Sequence, residues 1–478
     1  MRHIVAALMI LSSLAVLELA RHGVTITRTS VGPTPVAEYA RPDADGPVVV
    51  IAHGFAGSQQ MMQGYALPLA RAGYRVHVFD FLGHGRHPVP MSGDVTAADG
   101  TTQLLVDQTS KVMDAVAADD VPIALIGHSM ATDVLVRVAA GRDDVGPVVL
   151  ISAFSREIDA TSPRDMLQVT GAWEPGLRAF AQASVHMVDP TAAEGDTAVN
   201  GRVLRRVVVA PFAEHVSVLQ SRLGRAEALA WLDRSYGRTS DITILPTGWA
   251  ILGLLAGLVL IFRSLSVVIP QRDVPRQPLS AGKTALVLLC PMVIAPLCAF
   301  LFNTDILPIL VADYLVVHML VFGTVQLALL RLWRISAGRL VLPALVAVLV
   351  ACAVFGFAMD RYAANFWPTD ARWWIVAAML IGTLPYMIAD SVLTANQGLW
   401  GRLCTRVSFL ASLAIAVALD FEGLFFLILI APVLILFYAV FGTMGRAALM
   451  RSGPLSSGLA LGVVLAWALG VSFPLFST

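Results

Sequence analysis

The chain has 478 residues, of which 57% are hydrophobic and 14% are charged, and its mean hydropathy is +0.73. Because about a quarter of the residues of a soluble protein are charged, this composition excludes an ordinary soluble protein. It predicts a membrane protein long enough to carry a soluble domain as well. The formal net charge is zero, so we expect no nucleic-acid partner.

A hydrophobic segment opens the chain. Residues 4–17, IVAALMILSSLAVL, follow Arg2 and could be a signal peptide or a membrane anchor. A cleavage site near Ala20 would need small residues just before it, and Glu18 occupies one of those positions. We therefore expect residues 1–20 to be an uncleaved transmembrane anchor, with a signal sequence as the alternative.

Residues 21–242 have the composition of a globular domain, in which short apolar runs alternate with stretches of helical spacing. Continuous apolar runs that end in Gly, Ser or His are typical of strands buried on both faces of a parallel sheet. The predicted strands are residues 47–54, 74–81, 122–129, 147–154, 165–172 and 205–212, and the predicted helices include residues 100–118, 130–141 and 216–234. This order predicts an α/β architecture, a mostly parallel sheet flanked by helices.

Residues 243–478 contain repeated apolar runs, each of about twenty residues and therefore long enough to cross about 30 Å of hydrocarbon. We predict an all-α, polytopic transmembrane domain of about eight helices. The predicted spans are residues 245–262, 284–302, 307–330, 340–358, 373–392, 406–420, 424–442 and 457–475. Without the span at 406–420, every later segment would have the opposite orientation.

Basic residues mark alternate loops of this domain. They are Arg263, Arg272, Arg276, Lys283, Arg331, Arg334, Arg339, Arg402, Arg406, Arg446 and Arg451. The other loops carry Asp305, two acidic and two basic residues at 360–372, and Asp420 with Glu422. By the positive-inside rule the arginine-rich loops face the cytoplasm. We expect a multi-pass protein of a bacterial inner membrane, since arginine far outnumbers lysine, with the globular domain facing the periplasm or exterior.

One short stretch, ALIGHSMATDV at residues 124–134, brings a serine to the end of a predicted buried strand. Within it, GHSMA has a small residue two positions to either side of Ser129, as a tight strand-to-helix turn around a nucleophilic serine requires. The match alone is weak, because a serine that ends a strand is more often a helix cap. The other strand ends therefore decide how Ser129 is interpreted.

Five motifs in order make residues 30–236 resemble the α/β-hydrolase superfamily. The motifs are HGFAGS (53–58), DFLGHGRH (80–87), GHSMA (127–131), TGAWEP (170–175) and EHVSVL (214–219). In that order they look like the family's oxyanion loop, its Asp-x-x-Gly-His-Gly turn, its nucleophile elbow, its acid loop and its histidine loop. The resemblance implies an α/β-hydrolase fold and a serine hydrolase, without specifying one substrate.

The resemblance also assigns catalytic roles. A serine hydroxyl is a poor nucleophile at neutral pH, so it needs a histidine base and a carboxylate that orients this base. Ser129, His215 and Glu174 hold the matching positions. Family members more often use aspartate as the acid, so Asp189 and Asp159 remain alternatives to Glu174. If the two residues have no catalytic role, His215 is a loop residue that caps a helix, and Glu174 is a residue of the first turn of a helix, where the helix dipole favours a negative charge.

Two backbone N–H groups should form the oxyanion hole, those of Phe55 and Met130. Several histidines of the domain could suggest a metal site, but no carboxylate or cysteine stands at ligand spacing beside them. These histidines are His53, His77, His84, His87 and His128. We predict no metal and no other cofactor.

Many lipases insert a large cap between the strands near residues 152 and 166, whereas here only SREIDATSPRD intervenes. We expect little or no cap and an open site, for which the membrane surface could supply the missing apolar wall. This favours a lipid or acyl ester as substrate, with membrane lipids as further partners. Alternatively, the membrane segments only retain an esterase at the surface.

Ionisable residues inside membrane spans commonly mark functional sites. His318 lies within one span, whereas Asp313 and Asp390 lie near span ends and could be interfacial. Two hypotheses follow. The first is a membrane-embedded serine hydrolase that cleaves an ester through an acyl-enzyme, and the intact Ser and His motifs favour it. The second is a transporter or assembly protein that uses the hydrolase fold as an external binding module; an acyltransferase or thioesterase is a further alternative. The sequence does not indicate an oligomeric state.

Overall fold

A computed structural model of the chain describes residues 2–92, 98–118, 121–272, 278–302, 306–395 and 397–477. Within these residues, nine strands form one sheet in the order β1-β2-β4-β3-β5-β6-β7-β9-β8. The strands are β1 (Thr25–Val31), β2 (Thr34–Ala40), β3 (Val48–Ala52), β4 (Arg75–Phe79), β5 (Ile123–His128), β6 (Val145–Ile151), β7 (Asp165–Gly171), β8 (Thr197–Asn200) and β9 (Val203–Ala210). The six strands from β4 to β9 along the sheet are parallel, and β1, β2 and β8 pair antiparallel at its edges.

Helices cover both faces of this sheet and, with it, form what we call the α/β domain. They are α2 (Gln63–Arg71), α3 (Gln103–Val116), α4 (Met130–Gly141), α5 (Pro175–His186) and α6 (Arg222–Ser235). Successive side chains of a strand point to opposite faces, so Val49 and Ile51 pack with α2 and α6, while Val48 and Val50 pack with α3 and α4. The predicted fold class, a mostly parallel sheet flanked by helices, is confirmed.

The remaining helices are apolar. They are α1 (Arg2–Arg21), α7 (Thr247–Leu265), α8 (Ala281–Leu301), α9 (Ala312–Leu332), α10 (Leu342–Tyr362), α11 (Asp370–Ala395), α12 (Leu399–Leu419), α13 (Phe421–Leu424), α14 (Phe426–Ser452) and α15 (Pro454–Ser472). In the part of the chain that the structure describes, nine of them, all except α13, are long and apolar enough to cross a membrane. Each predicted span coincides with one of these helices, and α7–α15 form one bundle.

Helix α1 packs against α7 through two small residues one turn apart. A Cβ atom on Gly253 would lie 2.6 Å from Ser13 Oγ, and one on Gly257 would lie 2.7 Å from Ile10 Cγ1. Small residues spaced in this way let membrane helices approach closely, because packing rather than the hydrophobic effect drives their association. The first segment is thereby an integral part of the helical assembly.

A proline explains the polar contacts of His318. Pro296 lies inside α8 and has no N–H to donate, which leaves the carbonyl of Met292 without its helical partner. Ser412 Oγ donates to this carbonyl at 3.1 Å and lies 3.0 Å from His318 Nε2. Polar side chains commonly satisfy backbone groups that a proline frees in membrane helices. The contacts of His318 are therefore those of a structural residue.

Several basic residues predicted in loops lie within the end turns of helices instead; they are Arg263, Lys283, Arg331, Arg402, Arg446 and Arg451. Arg406, also predicted in a loop, lies about two turns inside a helix. Helix α12 begins before this residue, and Arg406 Nη2 lies 3.5 Å from Asp390 Oδ2 of α11, a carboxylate that is buried. An isolated charge is costly in hydrocarbon, which accounts for the pairing. Asp313 accepts hydrogen bonds from the backbone N–H groups of Ile306 and Leu307 at a span end. Two other residues of the charge pattern, Arg276 and Asp305, lie outside the described residues.

The α/β domain docks on the helical bundle through the loops at the carboxyl edge of its sheet. The loop after β4 pairs with the segment after α15: Met91 N–H donates to the Leu475 carbonyl, and Leu475 N–H to the Gly83 carbonyl, both at 2.8 Å. In the same loop Arg86 forms a 2.6 Å ion pair with Asp360 of α10. These contacts place the carboxyl edge of the sheet at the ends of the apolar helices.

Candidate active site

Ser129 occupies the turn between β5 and α4. Its φ of 53° and ψ of −118° are rare for a residue with a side chain, and such strain persists only where the surroundings impose it. The oxyanion loop comes very close: a Cβ atom on Gly54 would lie 2.9 Å from His128 Nδ1 and 3.0 Å from Ser129 Cβ. Position 54 therefore requires glycine, and the turn presents the Ser129 hydroxyl at the carboxyl edge of the sheet.

His215 lies between the hydroxyl and a carboxylate. It follows β9, and its Nε2 is 2.8 Å from Ser129 Oγ, while its Nδ1 is 2.6 Å from Oε1 of Glu174, which follows β7. Ser129, Glu174 and His215 thus come from the ends of three parallel strands, which meet at one edge of a sheet. The geometry is that of a nucleophile, a base and an orienting acid within hydrogen-bond reach.

Hydrogen bonds hold the Glu174 carboxylate in its charged form. Its Oε2 accepts from Ser152 Oγ and from Gly171 N–H, both at 2.7 Å. Burial alone would raise the pKa of Glu174, but the hydrogen bonds from His215, Ser152 and Gly171 outweigh burial and lower it. The ionised Oε1 accepts a hydrogen bond from His215 Nδ1–H, which leaves Nε2 free to accept the Ser129 hydroxyl proton.

The two backbone groups proposed for the oxyanion hole flank Ser129. Met130 is the first residue of α4, where N–H groups lack helical partners, and Phe55 follows His53 and Gly54. The His53 ring holds this loop, because its Nδ1 lies 2.8 Å from the Gly54 carbonyl and its Nε2 accepts from Phe81 N–H at 3.2 Å. Burial lowers the pKa of His53, so the ring is neutral, as these contacts require.

The histidines of the turn after β4 bond to the backbone. His84 Nδ1 lies 2.8 Å from the Leu82 carbonyl, and His87 Nδ1 accepts from Val89 N–H at 3.1 Å. Among the described residues, no group of three or more His, Cys, Asp or Glu side chains could hold a metal ion. The neighbouring Asp80 carboxylate accepts hydrogen bonds from the backbone and side-chain N–H groups of Gln59, both at 2.8 Å. These contacts therefore hold the turn after β4 in place, and Asp80 ties it to the segment that follows β3.

A cavity of about 560 Å³ opens beside Ser129 and His215. Its walls are mostly apolar and come from both parts of the protein, since Phe426 of α14 contributes to them. The other lining residues are Phe55, Met91, Thr101, Thr102, Leu105, Met130, Asp133, Val134, Arg137, Ser152, Phe154, Arg156 and Leu177. The connection between β6 and β7, residues 152–164, contains no helix, so the bundle forms a wall where a cap is lacking.

Comparison with known proteins agrees with the observed fold. Residues 44–198 match the family model described as serine aminopeptidase, S33, a family of the α/β-hydrolase superfamily. The α/β domain is an α/β hydrolase. No curated protein sequence is significantly similar to the chain.

Several similar solved structures bear the names of hydrolases. They include a CIB-like hydrolase from Thermoplasma acidophilum, 14% identical over 44% of this chain and 100% of that one, with a TM-score of 0.36. A dienelactone hydrolase from Anabaena variabilis is 16% identical over 45% of this chain and 100% of that one, with a TM-score of 0.34. An epoxide hydrolase from Vigna radiata is 22% identical over 27% of this chain and 41% of that one, with a TM-score of 0.23.

Two carboxylates of the hydrolase domain were alternatives to Glu174, and both lie in surface turns. Asp189 Oδ1 accepts from Thr191 N–H at 2.9 Å, and Asp159 Oδ1 accepts from Thr161 N–H at 2.7 Å. Neither is hydrogen-bonded to His215, whose Nδ1 faces Glu174. The structure therefore brings together Ser129, His215 and Glu174, and leaves the two aspartates apart.

Sequence reasoning did not find three residues of this site. Ser152 directly follows β6 and belongs to no motif, although its place at the carboxyl edge of a parallel strand is a usable signal. Phe426 and Phe476 belong to the helical domain, and their rings lie 5.8 Å and 6.4 Å from that of Phe55. No local pattern in the sequence predicts such a contact between distant segments.

Proposed function

We propose that the protein is a membrane-bound serine hydrolase that cleaves an acyl ester with a hydrophobic acyl chain. The observation that carries this proposal is the line of hydrogen bonds from Ser129 Oγ to His215 Nε2 at 2.8 Å and from His215 Nδ1 to Glu174 Oε1 at 2.6 Å. The match to a hydrolase family supports the reaction class. The largely apolar cavity beside Ser129 supports the substrate class.

The reaction proceeds in two halves. His215 Nε2 takes the hydroxyl proton while Ser129 Oγ attacks the acyl carbonyl, and the resulting oxyanion accepts hydrogen bonds from the N–H groups of Phe55 and Met130. His215 then gives its proton to the leaving alcohol, which departs and leaves an acyl-serine. Water, deprotonated by His215, attacks this ester, and His215 then returns the proton to Ser129 Oγ as the carboxylic acid is released. Glu174 keeps the imidazolium oriented and compensates its charge throughout.

The membrane assignment rests on the nine helices that are long and apolar enough to cross a bilayer, counted among the described residues. Basic residues stand at the helix ends away from the hydrolase domain, including Arg263 of α7, Arg331 of α9 and Arg451 of α14. By the positive-inside rule these ends are cytoplasmic. The hydrolase domain then faces the periplasm or the exterior.

Labelling with a fluorophosphonate tests the nucleophile. The full-length protein should be labelled, and Ser129→Ala should abolish labelling and ester turnover without changing the heat-denaturation midpoint. Ser235→Ala is the matched control, because Ser235 lies in α6 and bonds to Asp165, away from the cavity. Labelling of Ser129→Ala at the parental level would remove the catalytic assignment and favour the hydrolase fold as a binding module.

Cysteine accessibility tests the orientation. Single cysteines at Arg202, exposed in the hydrolase domain, and at Ser280, which precedes α8, are introduced after the four native cysteines are replaced. An impermeant thiol reagent applied to intact spheroplasts should modify position 202 and spare position 280. The reverse pattern would place the hydrolase domain in the cytoplasm.

A further inference from the structure

The order of strands divides the carboxyl edge of the hydrolase sheet into two halves. On one side of β5 lie β3 and β4, whose loops contact the ends of the membrane helices, as Phe55 does with Phe426. On the other side lie β6, β7 and β9. Ser129 follows β5 and therefore stands at the boundary between these halves.

The loops of the second half carry large apolar side chains that the protein leaves exposed. Phe154 follows β6, Trp173 follows β7, and Phe212 and Val216 follow β9; their exposed fractions are 54%, 63%, 82% and 52%. We call these four residues the apolar lip. Exposed apolar side chains are ordinary when scattered, but these four stand at the ends of three adjacent strands, which are spaced by about 4.8 Å.

The level of the lip follows from the docking of the domain. Because parallel strands end at one edge, the loops after β6, β7 and β9 extend from the same edge as the loops that contact the membrane helices. Those contacts include Arg86 with Asp360 near the end of α10. The lip therefore extends from the edge of the sheet that contacts the helix ends, which in a bilayer would lie at the level of the lipid head groups. Aromatic residues are favoured at this depth.

We propose that the apolar lip inserts into the lipid surface of the membrane that the helices span, so that an acyl ester enters the cavity from the lipid leaflet. This inference rests on the proposed hydrolase function and specifies its substrate as an amphiphile resident in the membrane. Continuity supports it, since two exposed side chains, Phe421 of α13 and Phe425 just before α14, extend the apolar surface from the bundle toward the cavity wall at Phe426. The acyl chain need not cross water to reach Ser129.

Nitroxide labels measure the insertion directly. A cysteine replaces Phe212 or Arg202 in the full-length protein without its native cysteines, reconstituted in phospholipid vesicles. The two positions follow and precede β9, so about 26 Å of strand, eight residues at about 3.3 Å each, separates them. Collisions with lipid-soluble oxygen should dominate at position 212, and collisions with a water-soluble nickel chelate at position 202. Equal chelate access at both positions would overturn the proposal.

Activity separates the lip from the catalytic residues. Trp173→Ser with Phe212→Ser should lower turnover of a long-chain ester in vesicles about tenfold, because the rings no longer contribute burial in lipid, and should leave turnover of a water-soluble short-chain ester unchanged. Neither residue lines the cavity. Val199→Ser is the control, since Val199 is 58% exposed but pairs with Leu204 near the opposite edge.

Equal losses on both esters, or no loss on either, would overturn the insertion. Fluorophosphonate labelling of the same samples identifies which proposal has failed. Labelling that persists while the lip measurements fail leaves the hydrolase intact and removes the lip alone. Absence of labelling in the parent protein would instead refute the hydrolase function.

Discussion

The substitution Glu174→Gln gives the sharpest test of how the site works. Glu174 Oε2 accepts two hydrogen bonds at 2.7 Å, from Ser152 Oγ and Gly171 N–H, and Oε1 faces His215 Nδ1 at 2.6 Å. A glutamine would place its side-chain oxygen at the Oε2 position, facing Ser152 Oγ and Gly171 N–H, because its NH₂ group cannot accept hydrogen bonds from these two donors. The NH₂ group would then face His215 and require Nδ1 to be an acceptor.

That arrangement reverses the histidine tautomer. With its proton on Nε2, His215 cannot take the proton of Ser129, so the reaction loses its base. The equivalent reversal in a serine protease lowers kcat about 10⁴-fold, which corresponds to about 5.5 kcal/mol of transition-state stabilisation. Loss of one ordinary hydrogen bond would cost only about 1 kcal/mol, or roughly fivefold. The two explanations differ by three orders of magnitude.

The assay is steady-state turnover of a chromogenic acyl ester, with the heat-denaturation midpoint measured on each variant. Glu174→Gln should lose about 10⁴-fold in kcat and keep its fold, because the bonds to Ser152 and Gly171 remain. Asp189→Asn and Asp159→Asn are isosteric controls in surface turns and should be nearly silent. A loss below about tenfold at Glu174, or a large loss at either aspartate, would refute the reasoning.

Two further predictions concern stability. Arg372 is buried and donates to the carbonyls of Gly470 at 3.0 Å, Phe473 at 2.7 Å and Gly83 at 2.9 Å. Arg372→Met should therefore destabilise the protein by about 3 kcal/mol and lower its heat-inactivation midpoint. A midpoint equal to that of the control Arg339→Met would contradict the docking of the α/β domain on the bundle. Burial and nearby Arg75 lower the pKa of His77 from 6.5 to about 4. Below pH 6.5 the unfolded chain therefore binds a proton that the folded chain does not, and the stability of the fold falls. At pH 5.5 the loss of folding free energy is about 1.4 kcal/mol. His77→Gln should reduce the difference in heat stability between pH 7.5 and pH 5.5, and an unchanged difference would exclude His77 as its source.

Continuous apolar runs explain which strands the sequence predicts. The six strands that are parallel in the sheet are buried on both faces, and each lies within a predicted strand to within a few residues. The same criterion does not detect β1, β2 or β8. β1, TITRTSV, is largely exposed, and β8, TAVN, has only four residues. Such edge strands form because a neighbour offers unpaired backbone groups, and this tertiary cause leaves little trace in the local sequence.

The motif order predicts where Ser129, His215 and Glu174 lie, because each follows a strand and parallel strands end at one edge. It does not predict the second partner of Glu174. Ser152 reaches Oε2 only because β6 and β7 are neighbours in register, with Ile151 opposite Val169. The misplaced Arg406 has a similar cause, since the pairing with Asp390 allows α12 to begin earlier than its apolar run. Both the bond between Ser152 and Glu174 and the start of α12 thus depend on interactions between distant segments, which local sequence does not show.

The helical domain also contributes a side chain to the core of the α/β domain. Phe476 is 4% exposed and packs with Phe81, Met91 and Leu105 of the hydrolase domain. Burial of a phenylalanine contributes about 2 to 3 kcal/mol, and the backbone pairing between Met91 and Leu475 fixes the loop after β4. That loop in turn supports Phe55 through the hydrogen bond between Phe81 N–H and His53. The bundle therefore contacts the loop that positions Phe55, whose N–H group is proposed to line the oxyanion hole.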